Sequence, residues 1–207
     1  MGISYQNLLL IGEMSQVRQA VTAAGADGWL VPAGPGRVAL LPREGRCDVA
    51  DVAVPAERLS TALGTPVLTN ELIDSDVVVM TVYQDGRAVH RYVSDEAMLV
   101  DWFIDDDGVA MFRIGDVEYP ADAAHPTGPS GADPQALARF GVGATDRARL
   151  AAVLRGESGH GERLRADEQH HLILELLHLD PGVLTMACRW FPGEDRADAV
   201  RVPPVPR

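Results

Sequence analysis

The chain contains no lysine, and all eighteen of its basic residues are arginine. Without a lysine amine there is no Schiff-base nucleophile, no pyridoxal-phosphate linkage, no Walker-type phosphate lysine and no kinase-type ATP lysine, so those chemistries are excluded. Cysteine is almost as scarce. Cys47 and Cys188 are far apart and lack CxxC spacing, which reads as two thiols rather than a bridge or a metal pair. No apolar run approaches the roughly 18 residues of a membrane span. Met1 to Leu10 lacks the basic start, apolar middle and small-residue cleavage site of a signal peptide, and the expectation is a soluble cytoplasmic protein. At 207 residues the chain can bury a sizeable core in one domain or two small ones, with no disulfide, metal or cofactor needed to complete it.

Positive charge is also short: 30 acidic residues against 18 arginines leave a net charge of −12. That field repels phosphate backbones and anionic lipid, and no arginine-rich block offsets it, so neither nucleic acid nor membrane is an expected partner. A basic protein would be steered in. The same balance also serves plain solubility.

What is present is mainly β signal. Val77 to Tyr83 and Ala88 to Val93 are two apolar runs, and Asp85-Gly86 between them tolerates the positive φ of a tight hairpin turn. The first run is apolar on both sides, with Val77, Val79 and Thr81 facing one way and Val78, Met80 and Val82 the other. That pattern predicts a central strand of one continuous sheet, covered on both faces. The second run alternates more, with His90 and Tyr92 on the face of Ala88, and should lie nearer an edge.

Upstream, Tyr5 to Ile11 reads as a buried strand, Glu13 to Ala24 as a helix stopped by Gly25, and Gly28 to Val31 and Arg37 to Leu41 as strands around a Pro32 to Gly36 turn. That turn has no GxGxxG spacing and opens no helix, so it is not a phosphate loop. A second helix is most secure from Pro55 to Leu63, with Gly64 as its stop, and Pro66 to Leu72 is the next strand. Short β segments follow at 100–104, 109–114 and 117–119. Asp105-Asp106-Asp107 between the first two lacks the alternate spacing of a calcium loop and reads as a solvated turn.

Residues 120–134, dense in Pro, Gly and Ala, are a linker or a loop laid over a site. Helices are predicted from Pro134 with an Asp133 cap, over Asp146 to Arg155 with a Thr145 cap, and from Leu164 to Leu179 with Leu172, Leu176 and Leu179 as the buried stripe beside Ile173 and Leu177. Val183 to Phe191 reads as a closing strand. The fold class is therefore α+β: a mixed or mainly antiparallel sheet with helices on one face, followed by a helical segment and a final strand. The expected division is a sheet domain over 1–119, the loop at 120–134, a helical segment at 135–191 packed on the same core, and a loose tail at 192–207. The PxxP spacing at Pro203 to Pro206 reads as a polyproline-like extension of that tail.

Candidate chemistry is thin. His171, Glu175 and His178, with His170 adjoining, share one face of the late helix and can hold a metal at that spacing, but the triplet is not HExxH and also fits the polar side of an amphipathic helix. Ser130 in GPSG and Ser158 in GESGHG, the latter near His160, sit in flexible loops without the GxSxG elbow of a nucleophile. Acidic neighbours Glu44, Asp48 and Asp51 would raise the Cys47 thiol pKa rather than lower it. Trp29, Trp102 and Trp190 fall in predicted strands, as packing or as pocket lining.

The hairpin reads YxDGxxVxxY from Tyr83 to Tyr92 and is followed by PSGADPQALARFGV, a late helix and a closing strand. In these features the chain resembles a loosely defined family of uncharacterised bacterial α+β proteins, a resemblance that implies a fold and no site. The leading expectation is a non-enzymatic acidic module that binds another protein, a basic one in particular, in the manner of immunity or accessory proteins. The alternative is a small-molecule or metal-dependent enzyme with its site under the 120–134 loop, using His125, His160 or the His171 group.

Overall fold

A computed structural model describes residues 2–45, 48–114, 116–158 and 163–204. Within them the fold is α+β, with six helices and ten strands whose pairings are all antiparallel. At its centre lies β1 (Tyr5–Ile11), which pairs with β3 (Arg37–Pro42) on one side and β4 (Val67–Ile73) on the other. β2 (Gly28–Gly34) joins β3, and β5 (Val77–Gln84) and β6 (Arg87–Val93) continue beyond β4. A three-residue β10 (Val200–Val202) closes the far side, giving the order β10-β2-β3-β1-β4-β5-β6.

Alternation along β1 sets the two cores. Leu8 and Leu10 face the layer formed by α1 (Met14–Ala23) and α2 (Ala53–Leu63), where Val17, Val21, Ala56 and Leu59 are buried against them. Both helices end where the sequence predicts, with Gly25 and Gly64 at φ of 72° and 61°. Tyr5 and Leu9 face the opposite layer. It is built from α3 (Pro134–Ala138), α4 (Arg147–Leu154), α5 (Ala166–Leu176) and α6 (Pro181–Leu184), with Phe140, Leu150, Ile173, Leu174, Leu177 and Leu184 in its core. The first two helices thus share one face, and the later helical segment covers the other.

The later layer carries a buried polar network. Asn7 of β1 sits opposite Asn70 of β4, and the Asn70 amide donates to Asn7 Oδ1 at 3.0 Å. Asn7 in turn donates to the Leu184 carbonyl at 2.8 Å. His170 joins them from α5, its Nδ1 2.5 Å from Tyr5 Oη and its Nε2 3.3 Å from Asn70 Oδ1. Its neighbour Gln169 donates to Tyr92 Oη and to the Val153 carbonyl. These contacts satisfy polar groups inside an apolar layer and tie α5 to three strands.

Several expectations change. The valine-rich β5 is buried on both faces, but it lies one strand from the edge, and β1 takes the centre. Helices on both sides of the sheet account for its apolar faces without central placement. The hairpin turn has φ of 51° at Asp85 and 77° at Gly86, as the Asp-Gly pair predicts. A register shift at Val89, however, places His90 opposite Val82 and Ala88 opposite Tyr83. Val82 and Tyr83 belong to different cores, so Ala88 does not share a face with His90. Strand β2 runs on to Gly34, into the predicted turn.

Asp146, not Thr145, caps α4, its carboxylate accepting from Arg149 N–H at 3.0 Å. The buried residues of α5 include His170, Ile173 and Leu174, whereas Leu172 and Leu176 are half-buried. Residues 183–191 form the end of α6 and a 3-10 turn (Cys188–Trp190) instead of a strand. The closing strand is β10, inside the stretch read as a tail, where it pairs with β2. Lastly, the β segments after 100 do not extend the large sheet. β7 (Asp101–Ile104), β8 (Ala110–Ile114) and β9 (Val117–Pro120) form their own three-stranded sheet.

Candidate functional site

The histidines do not gather. His171 Nε2 lies 3.3 Å from Glu175 Oε1, and both side chains are half exposed on α5. His178 lies beyond the end of that helix with φ of 55°, and its Nε2 is 3.1 Å from the Ala144 carbonyl, so the chain turn separates it from the other two. His170 points the opposite way, into the core, where loss of solvation and then the neighbouring His171 lower its pKa to about 3. It is a neutral structural imidazole. His90 is half-buried on β6, and His125 packs on Trp102 and Phe112. His160 and Cys47 fall outside the described residues. Among the described residues no three His, Cys, Asp or Glu side chains converge to hold a metal ion.

The serines and the remaining cysteine are placed as structural groups. Ser130 bonds Glu96 Oε1, and its backbone pairs with Val93 of β6 in both directions. Ser158 is half-buried after α4, and Cys188 is half-buried, with burial followed by Glu44 raising its thiol pKa. Trp29 packs on Phe191, Trp102 on Phe112, and Trp190 lies exposed under the Arg189 guanidinium, so the three indoles line no common pocket. An apolar groove of about 530 Å³ runs past Tyr5, Leu72, Leu164 and Leu172. The charged groups at its rim are engaged: Asp167 with Arg165, Glu168 with the Arg165 amide and His171 with Glu175.

Residues 128–131 of the 120–134 loop lie along the end of β6, while Ala121 and His125 sit against the small sheet. Gly128 N–H donates to Asp95 at 2.8 Å, and Asp95 also pairs with Arg163 at 2.8 Å. At Gly131 (φ of 60°) a Cβ would stand 1.9 Å from the Arg91 carbonyl, so only glycine permits this approach.

The small sheet presents an exposed apolar face. Trp102, Ile104, Ala110, Phe112, Ile114, Val117 and Tyr119 share one of its faces, by alternation and by the pairings Trp102 with Phe112 and Phe112 with Tyr119. Phe112 is enclosed by Trp102, Tyr119 and His125 at centroid distances of 5.1, 5.2 and 5.4 Å. Trp102, Ile104 and Val117 remain exposed on this face, and Val109 is exposed just before β8. By the same alternation Asp101 and Glu118 lie on the opposite face, and Asp105, Asp106, Asp107 and Asp116 lie between the strands. From Asp101 to Asp122 the sequence has seven acidic residues and one arginine, a balance of −6 within a chain of −12. That arginine, Arg113, is taken up by Asp101 at 2.5 Å and Glu118 at 4.0 Å, and their carboxylates raise its pKa. Asp105 caps its own turn by accepting from Asp107 and Val109 N–H, which explains one of the three adjacent aspartates; Asp106 and Asp107 are exposed. The signals that point here were in the sequence: the local excess of acid, and apolar side chains alternating along a strand with no cover assigned.

No family model, no curated protein and no solved structure matches the chain.

Proposed function

We propose that the protein is a non-enzymatic module that binds a basic protein through its three-stranded sheet. One observation carries this reading: the small sheet exposes aromatic and branched apolar side chains within a segment, 101–122, that holds half of the molecule's net negative charge. Exposed apolar side chains beside a local excess of charge suit a protein contact, where the apolar part supplies affinity and the charge supplies steering and choice of partner. Elsewhere among the described residues the histidines are dispersed, and the charged groups at the rim of the groove past Tyr5 and Leu72 are paired. A cytoplasmic setting fits the two-cysteine content, and the module would act as an accessory or immunity-type protein does, by occupying a partner's cationic surface.

Affinity capture at low salt tests the proposal. Wild-type protein should retain basic proteins that the double variant Trp102→Ser, Ile104→Ser does not, and the retained set should fall away as salt is raised. Retention of the same proteins by both forms, or of none by either, would overturn it.

A further inference from the structure

We infer that the partner segment is an extended basic strand that adds to β7 as a fourth, antiparallel member of the small sheet; the inference rests on reading that sheet as the recognition face. Main-chain geometry singles out β7. Asp105 N–H donates to the Val109 carbonyl at 3.0 Å, and antiparallel bonds recur at every second residue, so Phe103 and Asp101 are the positions that exchange bonds with Met111 and Arg113. Consistently, Ala121 N–H donates to the Ala110 carbonyl at 3.3 Å, which turns Ala110, Phe112 and Ile114 towards β9. Trp102 and Ile104 therefore direct both their N–H and C=O groups away from β8. Among the described residues no other strand stands on that side.

The other edges are managed. β6 has the Arg91 to Val93 end of its outer side covered by Ser130 and Gly131, β10 is three residues long and runs into Pro203-Pro204, and β9 turns Glu118 and the N–H-less Pro120 outward. β7 is left open, and its two outward-turned residues are also the exposed apolar ones, Trp102 at 50% and Ile104 at 73%. Residues directly opposite in a sheet share a face. An added strand would thus set apolar side chains beside Trp102 and Ile104 and, at alternate positions, its basic side chains on the opposite face, where Asp101 and Glu118 outnumber Arg113. Charge decides against a second copy as the occupant, because edge-to-edge pairing of two small sheets would bring two balances of −6 together.

The experiment uses the full chain and a synthetic peptide of about eight residues alternating valine and arginine. Two further peptides carry backbone N-methyl groups, one on the valines and one on the arginines. Valines opposite Trp102 and Ile104 must give their N–H groups to β7, whereas the arginine N–H groups point to solvent. Methylation of the valines should weaken binding by about tenfold or more, and methylation of the arginines by no more than about twofold. Ile104→Pro, which removes an outward N–H and spares the β7–β8 ladder, should weaken the parent peptide by about fivefold to tenfold. Equal tolerance of both methylated peptides, or a valine-selective loss that Ile104→Pro leaves unchanged, would overturn strand addition at β7 while leaving the recognition face standing. Failure of the parent peptide to bind at low ionic strength would overturn the reading beneath it. Dimerisation of the chain that Ile104→Pro abolishes would identify a second copy as the occupant and overturn the inference.

Discussion

The two sheets of this protein treat their free surfaces in opposite ways. The large sheet has helices on both faces, buried hydrogen bonds joining its strands to α5, and a loop laid over its β6 edge. The small sheet has one buried aromatic, an open edge and most of its apolar face in water. Exposed edges and apolar patches favour association, and here the two occur together, in the segment with the local excess of acid. On the proposed function, stability resides in the first sheet and recognition in the second.

The widest gap between the two should appear on truncating a side chain in each. Leu9→Ala removes a fully buried side chain from the central strand and should cost about 2–5 kcal/mol in urea denaturation, whereas Ile104→Ala should cost about 0.5 kcal/mol or less. Similar losses at both positions would erase the distinction. Next in size is Gly131→Ala. It forces a methyl group onto the Arg91 carbonyl at a left-handed position and should cost about 2–3 kcal/mol, with a rise in self-association as the β6 edge is uncovered, read by light scattering.

A smaller effect is the pH dependence imposed by His170. Its folded pKa, about 3, lies below the ordinary unfolded value near 6.5, so the unfolded chain binds the extra proton between them. The stability this group contributes is present above about pH 6.5 and is lost by up to about 1.4 kcal/mol per pH unit as pH falls towards 3. His170→Gln should flatten the slope of unfolding free energy between about pH 6.5 and pH 5, where most carboxylates are still ionised. An unchanged slope would show that the imidazole is not held neutral in the large sheet's core.

Much of the large sheet was legible. Tyr5 to Ile11, the Gly25 and Gly64 stops and the Asp85-Gly86 turn follow from local patterns that tertiary contacts did not override. Val183 to Phe191 was not, because a short apolar run is compatible with a buried strand or a buried helix end, and here Asp180 and Pro181 start a helical turn. Val200 to Val202 was masked by its flanking prolines and charges, which read as tail until β2 supplies a partner. The His170 network was beyond reach of spacing rules, since Tyr5, Asn7, Asn70 and His170 meet only through strand register. The acidity of 101–122 was countable from the start. Its meaning depended on the three short strands pairing with each other instead of with β6, a choice that hydrophobic pattern does not encode.

Amide hydrogen exchange of the full chain, with and without the alternating valine–arginine peptide at low ionic strength, tests the division of labour most directly. Protection gained in residues 101–120, with β1, β4 and β5 unchanged, is the result the account predicts. Protection gained instead around the Tyr5 and His171 groove, or spread evenly over the arginine-bearing helices, would contradict it.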